Sequence, residues 1–341
     1  MKSLAAVYYG NRTIRVEEIP VPEIKSDEIL VQVKACGVCG TDVHIFSGAK
    51  GAADCVPPKV LGHEFSGIVA KTGSSCKDIR EGDRVVIDPN DMCGRCIFCR
   101  SGKGHFCENM IGIGTTVNGG FEEYCAVREK QAVKISKDLS FDEASFSEPV
   151  SCCLHGIDLA KIKAGSTVLI IGAGPIGMIM LQLARISGAA KLIVIEPVES
   201  KRKLAKKLGA SVTADPSSED VGSVLRNKGI YHIDTVIECV GAKQTMQNAV
   251  SYAGKGATVV FFGLTSPECT VEIKPFEIFQ KELTITSSYI NPYTIARAVS
   301  LLESGIISVK PLIAGTMHLE DLGRVLGDNS LRRDGKIIIH P

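Results

Sequence analysis

An excess of charge of either sign is missing from this sequence. Lysine and arginine number 39, aspartate and glutamate 38, for a formal net charge of +1. No basic run disturbs that balance, which argues against a nucleic-acid binder. The densest basic stretch, residues 201–207, reads as the solvated face of a helix. A signal peptide is also missing: Lys2 precedes only a short apolar stretch before Gly10, Asn11 and Arg12. There is no internal repeat and no low-complexity segment. Residues 167–184 carry no charge, but Gly172, Gly174, Pro175 and Gly177 interrupt them. They read as strand, turn and buried helix rather than a membrane span. A cytoplasmic protein with no membrane or nucleic-acid partner is expected.

Cysteine is not scarce. There are 13, an odd number, bunched at short spacings. In a chain without a secretory leader this suggests metal binding rather than a disulfide scaffold. The 341 residues suffice for two domains, and 45% hydrophobic with 23% charged residues suits a globular protein.

Residues 1–150 read mainly as strands, at 4–9, 13–19, 29–35, 65–71 and 84–88, separated by long loops. After Lys163, apolar runs at 167–172, 191–196, 211–214, 235–240, 258–263 and 283–287 alternate with helix-like segments. This pattern indicates an α/β fold with a parallel, doubly wound sheet. The tail from about Tyr289 reads as helices and a last strand, 336–339, returning to the first domain.

Gly172-Ala173-Gly174-Pro175-Ile176-Gly177 follows the first of these runs and opens a helix expected at 178–187. The glycines permit a tight turn, close approach of a pyrophosphate, and close helix–strand packing. Glu196 ends the second run, where a carboxylate accepts hydrogen bonds from a ribose and repels the extra phosphate of NADP. NAD is therefore the expected cofactor. Lys201 and Arg202 follow closely, and Lys201 is counted with the cofactor site.

Cys93, Cys96, Cys99 and Cys107 can surround a zinc ion with no open position, as a structural site. An iron–sulfur cluster is the rival reading. A second, open zinc site is suggested by Cys39-Gly40-Thr41-Asp42-Val43-His44, Gly62-His63-Glu64 and Glu148-Pro149. Together they offer one thiolate, one imidazole and one or two carboxylates.

With these motifs, and Gly119-Gly120-Phe121-Glu122-Glu123-Tyr124, the whole chain resembles the zinc-dependent medium-chain alcohol dehydrogenases of the polyol (sorbitol-type) and threonine dehydrogenase branch. The resemblance implies a GroES-like β-rich catalytic domain, 1–150 plus 290–341, and a Rossmann NAD-binding domain, 151–289, with the active site between them. It implies that Cys39 and His63 ligate the catalytic zinc. Glu64 is the third ligand, and Glu148 exchanges with it or holds the bound water or substrate. Asp42 would hydrogen-bond His63. Thr41 would begin a proton relay that His44 ends. Cys36, in C-x-x-C with Cys39, is not a ligand in the family, and Glu148 matches better than Cys152 or Cys153. The expected reaction is oxidation of a secondary hydroxyl on a polyol, sugar acid or sugar phosphate. L-threonine and other alcohols are alternatives, as is a catalytically silent NAD- and zinc-binding protein. Ile45 and Ser288 stand where sorbitol-type enzymes carry a Tyr and an Arg, Tyr289 matches them, and Asn90 stands where threonine dehydrogenases carry a His. A homotetramer is favoured over a dimer.

Overall fold

The computed structural model describes residues 1–49 and 54–341. Two compact units emerge, Met1–Ser151 with Asn291–Pro341, and Cys152–Ile290.

The first unit is built on a largely antiparallel sheet. Its neighbours in space are Ala132–Lys134, Arg84–Ile87, Glu64–Thr72, Glu28–Gly37, Lys336–His340 and Ile313–His318, and Tyr124–Arg128 also pairs with Glu28–Gly37. In Glu28–Gly37 the alternate residues Ile29, Val31, Val33 and Ala35 are buried, the period-two pattern of a strand with one face on a core. Phe65, Phe121 and Ile337 join that core. Register then sets the chemistry. Gly37 lies opposite Glu64 on one side and Ile338 on the other. The helix Gly40–Phe46 starts just past that strand's end. Thus the Cys39 segment, the His63-Glu64 segment and the last strand arrive at one sheet end.

Ala132–Lys134, Ile313–His318 and Tyr124–Arg128 of this sheet fell outside the sequence reading, the last two for identifiable reasons. Ile313–His318 alternates between half-buried and exposed positions, so it has no apolar run. Tyr124–Arg128 contributes only Cys125 and Val127 to the core.

The second unit holds a six-stranded sheet, in spatial order Val212–Ala214, Lys191–Ile195, Thr167–Ile171, Thr235–Glu238, Thr258–Phe261, Thr284–Ser287. All pairs are parallel. Each of the six apolar runs contains one of these strands, because strands covered on both faces need continuous apolar residues. Strand order reverses beside Thr167–Ile171, where a doubly wound sheet offers its ligand crevice. The following helix, Pro175–Ile186, begins three residues before the expected start, with proline in its first turn. Proline's fixed φ and missing N–H suit that position. No helix among the described residues is long and apolar enough to cross a membrane.

Candidate metal centres and nucleotide site

The ligand atoms of Cys39, His63 and Glu64 lie within 4.8 Å of one another. Local structure explains the convergence. Cys39 caps the helix Gly40–Phe46, and Asp42, one turn in, accepts the Cys39 N–H at 2.8 Å. The other Asp42 oxygen lies 3.4 Å from His63 Nδ1. Asp42 therefore steadies both a thiol and an imidazole. Ahead of His63, Gly62 has φ +92°, and a Cβ there would stand 2.8 Å from Cys36 Sγ and 2.9 Å from the Phe121 ring. Only glycine turns the chain there without collision.

These residues fit a metal ion. Asp42 Oδ1 and His63 Nδ1 are buried and lie 3.4 Å apart, an arrangement that leaves Nε2 as the ring nitrogen for a cation. Burial opposes a charge on His63, but Asp42 and then Cys39 raise its proton affinity well above the ordinary imidazole value. A field that attracts a proton also attracts zinc. By contrast, burial, then Asp42 and Glu64, push the Cys36 thiol well above the usual range. That disposes of a reactive C-x-x-C pair.

Lys336 is the residue sequence reasoning missed. It is buried, donates to Val38 O at 3.2 Å, and forms an ion pair with Glu64. Burial works against its charge, but Glu64 and then Cys39 more than offset this and raise its proton affinity. The charge of Glu148, in the first turn of helix Ser147–Ala160, also reaches Lys336. Glu148 is not in the three-residue group. Lys336→Met should strand Glu64 and cost roughly 3–5 kcal/mol, seen as a lower denaturation midpoint. An unchanged midpoint would mean that the pair carries no net stabilisation. Thr41 and His44 are half-buried on the same short helix.

The second group is Cys93, Cys96, Cys99 and Cys107, also within 4.8 Å. None of the thirteen cysteines forms a disulfide. Backbone N–H groups aim at the sulfurs: Cys93 N at Cys107 Sγ, 3.3 Å, and Cys99 N at Cys96 Sγ, 3.5 Å. Donors from Arg95 and Cys96 draw the Cys93 thiol down to about 6. Burial and then Cys96 push Cys99 up to about 12. Four such thiols cannot all ionise together without a cation, and zinc is one that stabilises all four.

In the second unit, Gly172 has φ +94°, and a Cβ on Gly177 would strike the Gly172 carbonyl. A Cβ on Gly174 would meet nothing within 4 Å, and Gly174 caps the helix without a side-chain bond. The space beside Gly174, at the start of Pro175–Ile186, is thus open, as close approach of a pyrophosphate requires. Pro175 and Ile176 begin that helix. Glu196 is buried, and it accepts the Ala173 N–H at 2.8 Å and the Val198 N–H at 3.0 Å. Arg202 is engaged by the Glu196 and Pro197 carbonyls and by Asp215 at 3.2 Å. Lys201 is half-buried.

Comparison with known proteins agrees with this geometry. Residues 25–137 match the alcohol dehydrogenase GroES-like domain, and residues 175–304 match the zinc-binding dehydrogenase domain. The chain is 33% identical to D-arabinitol dehydrogenase 1 of Uromyces fabae, over 99% of this chain and 97% of that protein. It is 33% identical to an L-threonine 3-dehydrogenase of Caldanaerobacter subterraneus, over 94% and 93%. A crystal structure of a zinc-binding dehydrogenase from Sinorhizobium meliloti 1021, bound to NADP, superposes with TM-score 0.94 at 39% identity and covers both chains completely. The chain therefore belongs to the zinc-binding medium-chain alcohol dehydrogenase family, in its polyol and threonine dehydrogenase branch, and is a zinc-dependent, nicotinamide-dependent dehydrogenase of alcohols.

Proposed function

We propose that the chain moves hydride reversibly between NAD and a secondary hydroxyl of a polyol, sugar acid or sugar phosphate. The observation that carries this reading is the convergence of Cys39, His63 and Glu64 within 4.8 Å. In this reading these three hold a catalytic zinc, and Glu148 exchanges with Glu64 or holds the hydroxyl. Cys93, Cys96, Cys99 and Cys107 hold a structural zinc. The unit Cys152–Ile290 is the nucleotide-binding domain and the other the catalytic domain. When bound, the catalytic zinc supplies a Lewis acid for the substrate oxygen, and NAD supplies the hydride acceptor.

The protein's own residues do the rest. Asp42 faces Nδ1 of His63 and so leaves Nε2 for the metal. Lys336 balances the Glu64 charge, which permits Glu64 to exchange without leaving a bare buried carboxylate. Thr41 takes the hydroxyl proton at Oγ1 as it passes on its own. His44 stands three residues further, on the same helix face, and delivers a proton to water.

NAD is favoured by the Glu196 carboxylate and by Arg202, whose guanidinium is already engaged. The NADP in the Sinorhizobium structure favours NADP as a second reading. Glu196→Ala is expected to shift the kcat/KM ratio of NAD over NADP roughly tenfold toward NADP. An unmoved ratio would rule out the ribose role.

The deciding experiment combines metal analysis with a panel of polyols, sugar acids, sugar phosphates and L-threonine, each with NAD and NADP. Two zinc ions per chain are expected, with reduced nicotinamide appearing from a polyol-type substrate. Fastest turnover of L-threonine would replace the polyol reading by a second one, supported by the Caldanaerobacter relative. Two zinc ions and no turnover of any alcohol would defeat both. A homotetramer in the cytoplasm completes the reading. The sheet edge Thr284–Ser287 and the exposed Phe276 and Phe279 support self-association.

A further inference from the structure

Where the chain re-enters the first unit, four side chains of distant origin share one chain of hydrogen bonds. Asn291, the first residue of the returning segment, is fully buried. Its Oδ1 accepts Asn90 Nδ2 at 2.6 Å, and its Nδ2 donates to Ser151 Oγ at 3.1 Å. Thr294 Oγ1 donates to the Ser151 carbonyl at 2.8 Å, so the Ser151 hydroxyl is left to donate to Thr294 Oγ1 at 2.7 Å. Asp88 Oδ1 takes the remaining amide hydrogens, from Asn90 Nδ2 at 3.3 Å and Asn291 Nδ2 at 3.4 Å. Turning either amide over would set donor against donor. The chain therefore has one direction: Asn90 to Asn291 to Ser151 to Thr294.

Both ends of it lead to chemistry. Asn90 opens the stem of the four-cysteine lobe: Asn90–Asp91 pairs antiparallel with Ile111–Gly112, and the four cysteines lie on the loop between. The lobe meets the returning segment a second time, since a Cβ on Gly104 would strike Tyr293 Oη. At the other end, Ser151 is fully buried in the helix Ser147–Ala160, three residues past Glu148. Residues so spaced share a helix face, so the network grips the face that carries Glu148. Glu148 stands outside the group of Cys39, His63 and Glu64, and its use there depends on where its helix turn is held. Misplacing a reacting group by about 1 Å can cost on the order of 10²-fold in rate.

We propose that the four-cysteine lobe positions Glu148, with Asn291 and Ser151 as the positioning residues between them. The inference rests on the role given above to Glu148. The chain conveys position only: no bond breaks and no proton moves along it.

Ser151→Ala removes the linking hydroxyl and suits a helix. It is made in the full-length, zinc-loaded protein, alone and together with Glu148→Ala, and assayed with the best alcohol and NAD. Cobalt(II) in place of zinc at the open site gives a second readout, because its visible spectrum follows the atoms around the metal. Ser151→Ala should lower kcat about tenfold, leave the KM for NAD within about twofold, and shift the cobalt spectrum. In the Glu148→Ala background it should do none of this, because the group it positions is already gone. Asn90→Ala, at the stem, should act in the same direction and add nothing to Ser151→Ala. Every variant should keep two zinc ions per chain, and losses confined to variants that shed zinc overturn the proposal. Parental kcat and spectrum in Ser151→Ala, or losses that multiply with those of Glu148→Ala, overturn it and leave the role of Glu148 standing. Parental behaviour of Glu148→Ala takes down that role and the proposal together. If Ser151→Ala does not fold, Asn90→Ala with Glu148→Ala carries the same comparison.

Discussion

Cys39→Ser is expected to lower turnover by roughly 10³-fold or more while NAD affinity changes less than about threefold. A serine hydroxyl does not ionise near neutral pH, so the site would lose its soft anionic ligand and much of its hold on zinc. His63→Ala should be at least as severe. It removes the imidazole and also leaves Asp42, which is fully buried, facing a void. Asp42→Asn offers a graded test. It keeps the shape and loses the charge, so a fall of about 10- to 100-fold in activity or zinc affinity is expected. Steady-state oxidation of the best alcohol, zinc content and calorimetric titration with NAD would be read together. Parental turnover in the Cys39→Ser protein would mean that the chemistry happens elsewhere.

Glu122→Gln should stabilise the protein in alkaline solution, by up to roughly 5 kcal/mol. The sign follows from proton counting. The folded-state carboxyl titrates at about 8, well above the ordinary value of 4.5. Between those values the folded chain keeps a proton that the unfolded chain has lost. Stability due to this group is therefore full below about pH 4.5 and falls as pH rises to about 8. Glutamine resembles the protonated acid and cannot ionise, so the variant should lack this decline. Urea denaturation at pH 6, 7.5 and 9 would show the two curves diverging as pH rises. Parallel curves would mean that Glu122 is charged in the folded protein.

The difference between what was legible in the sequence and what was not follows from range. The six runs of the parallel sheet and the glycine turn were visible because their causes are local: continuous apolar residues and a fingerprint within six positions. The four cysteines of the lobe also lie close in sequence. Cys39, His63 and Glu64 were found through their motifs, and the antiparallel register that joins them appears only in the fold. Lys336 had no local signature, since it meets Val38 across 298 positions. Glu122 looked like one of two equivalent acids in a motif. Only burial and the donor to Glu123 separate them. The edge strand Ile313–His318 was hidden because half of its positions face solvent.

The pairing of Lys336–His340 with Glu28–Gly37 also constrains how this protein is made. A ribosome releases the whole Cys152–Ile290 unit before the strand that completes its neighbour exists. That unit can therefore mature first. The N-terminal segment must wait with the Cys36–Gly37 end of Glu28–Gly37 unpaired on one edge and Glu64 without its counter-charge. During that interval the nascent chain is open to wrong partners.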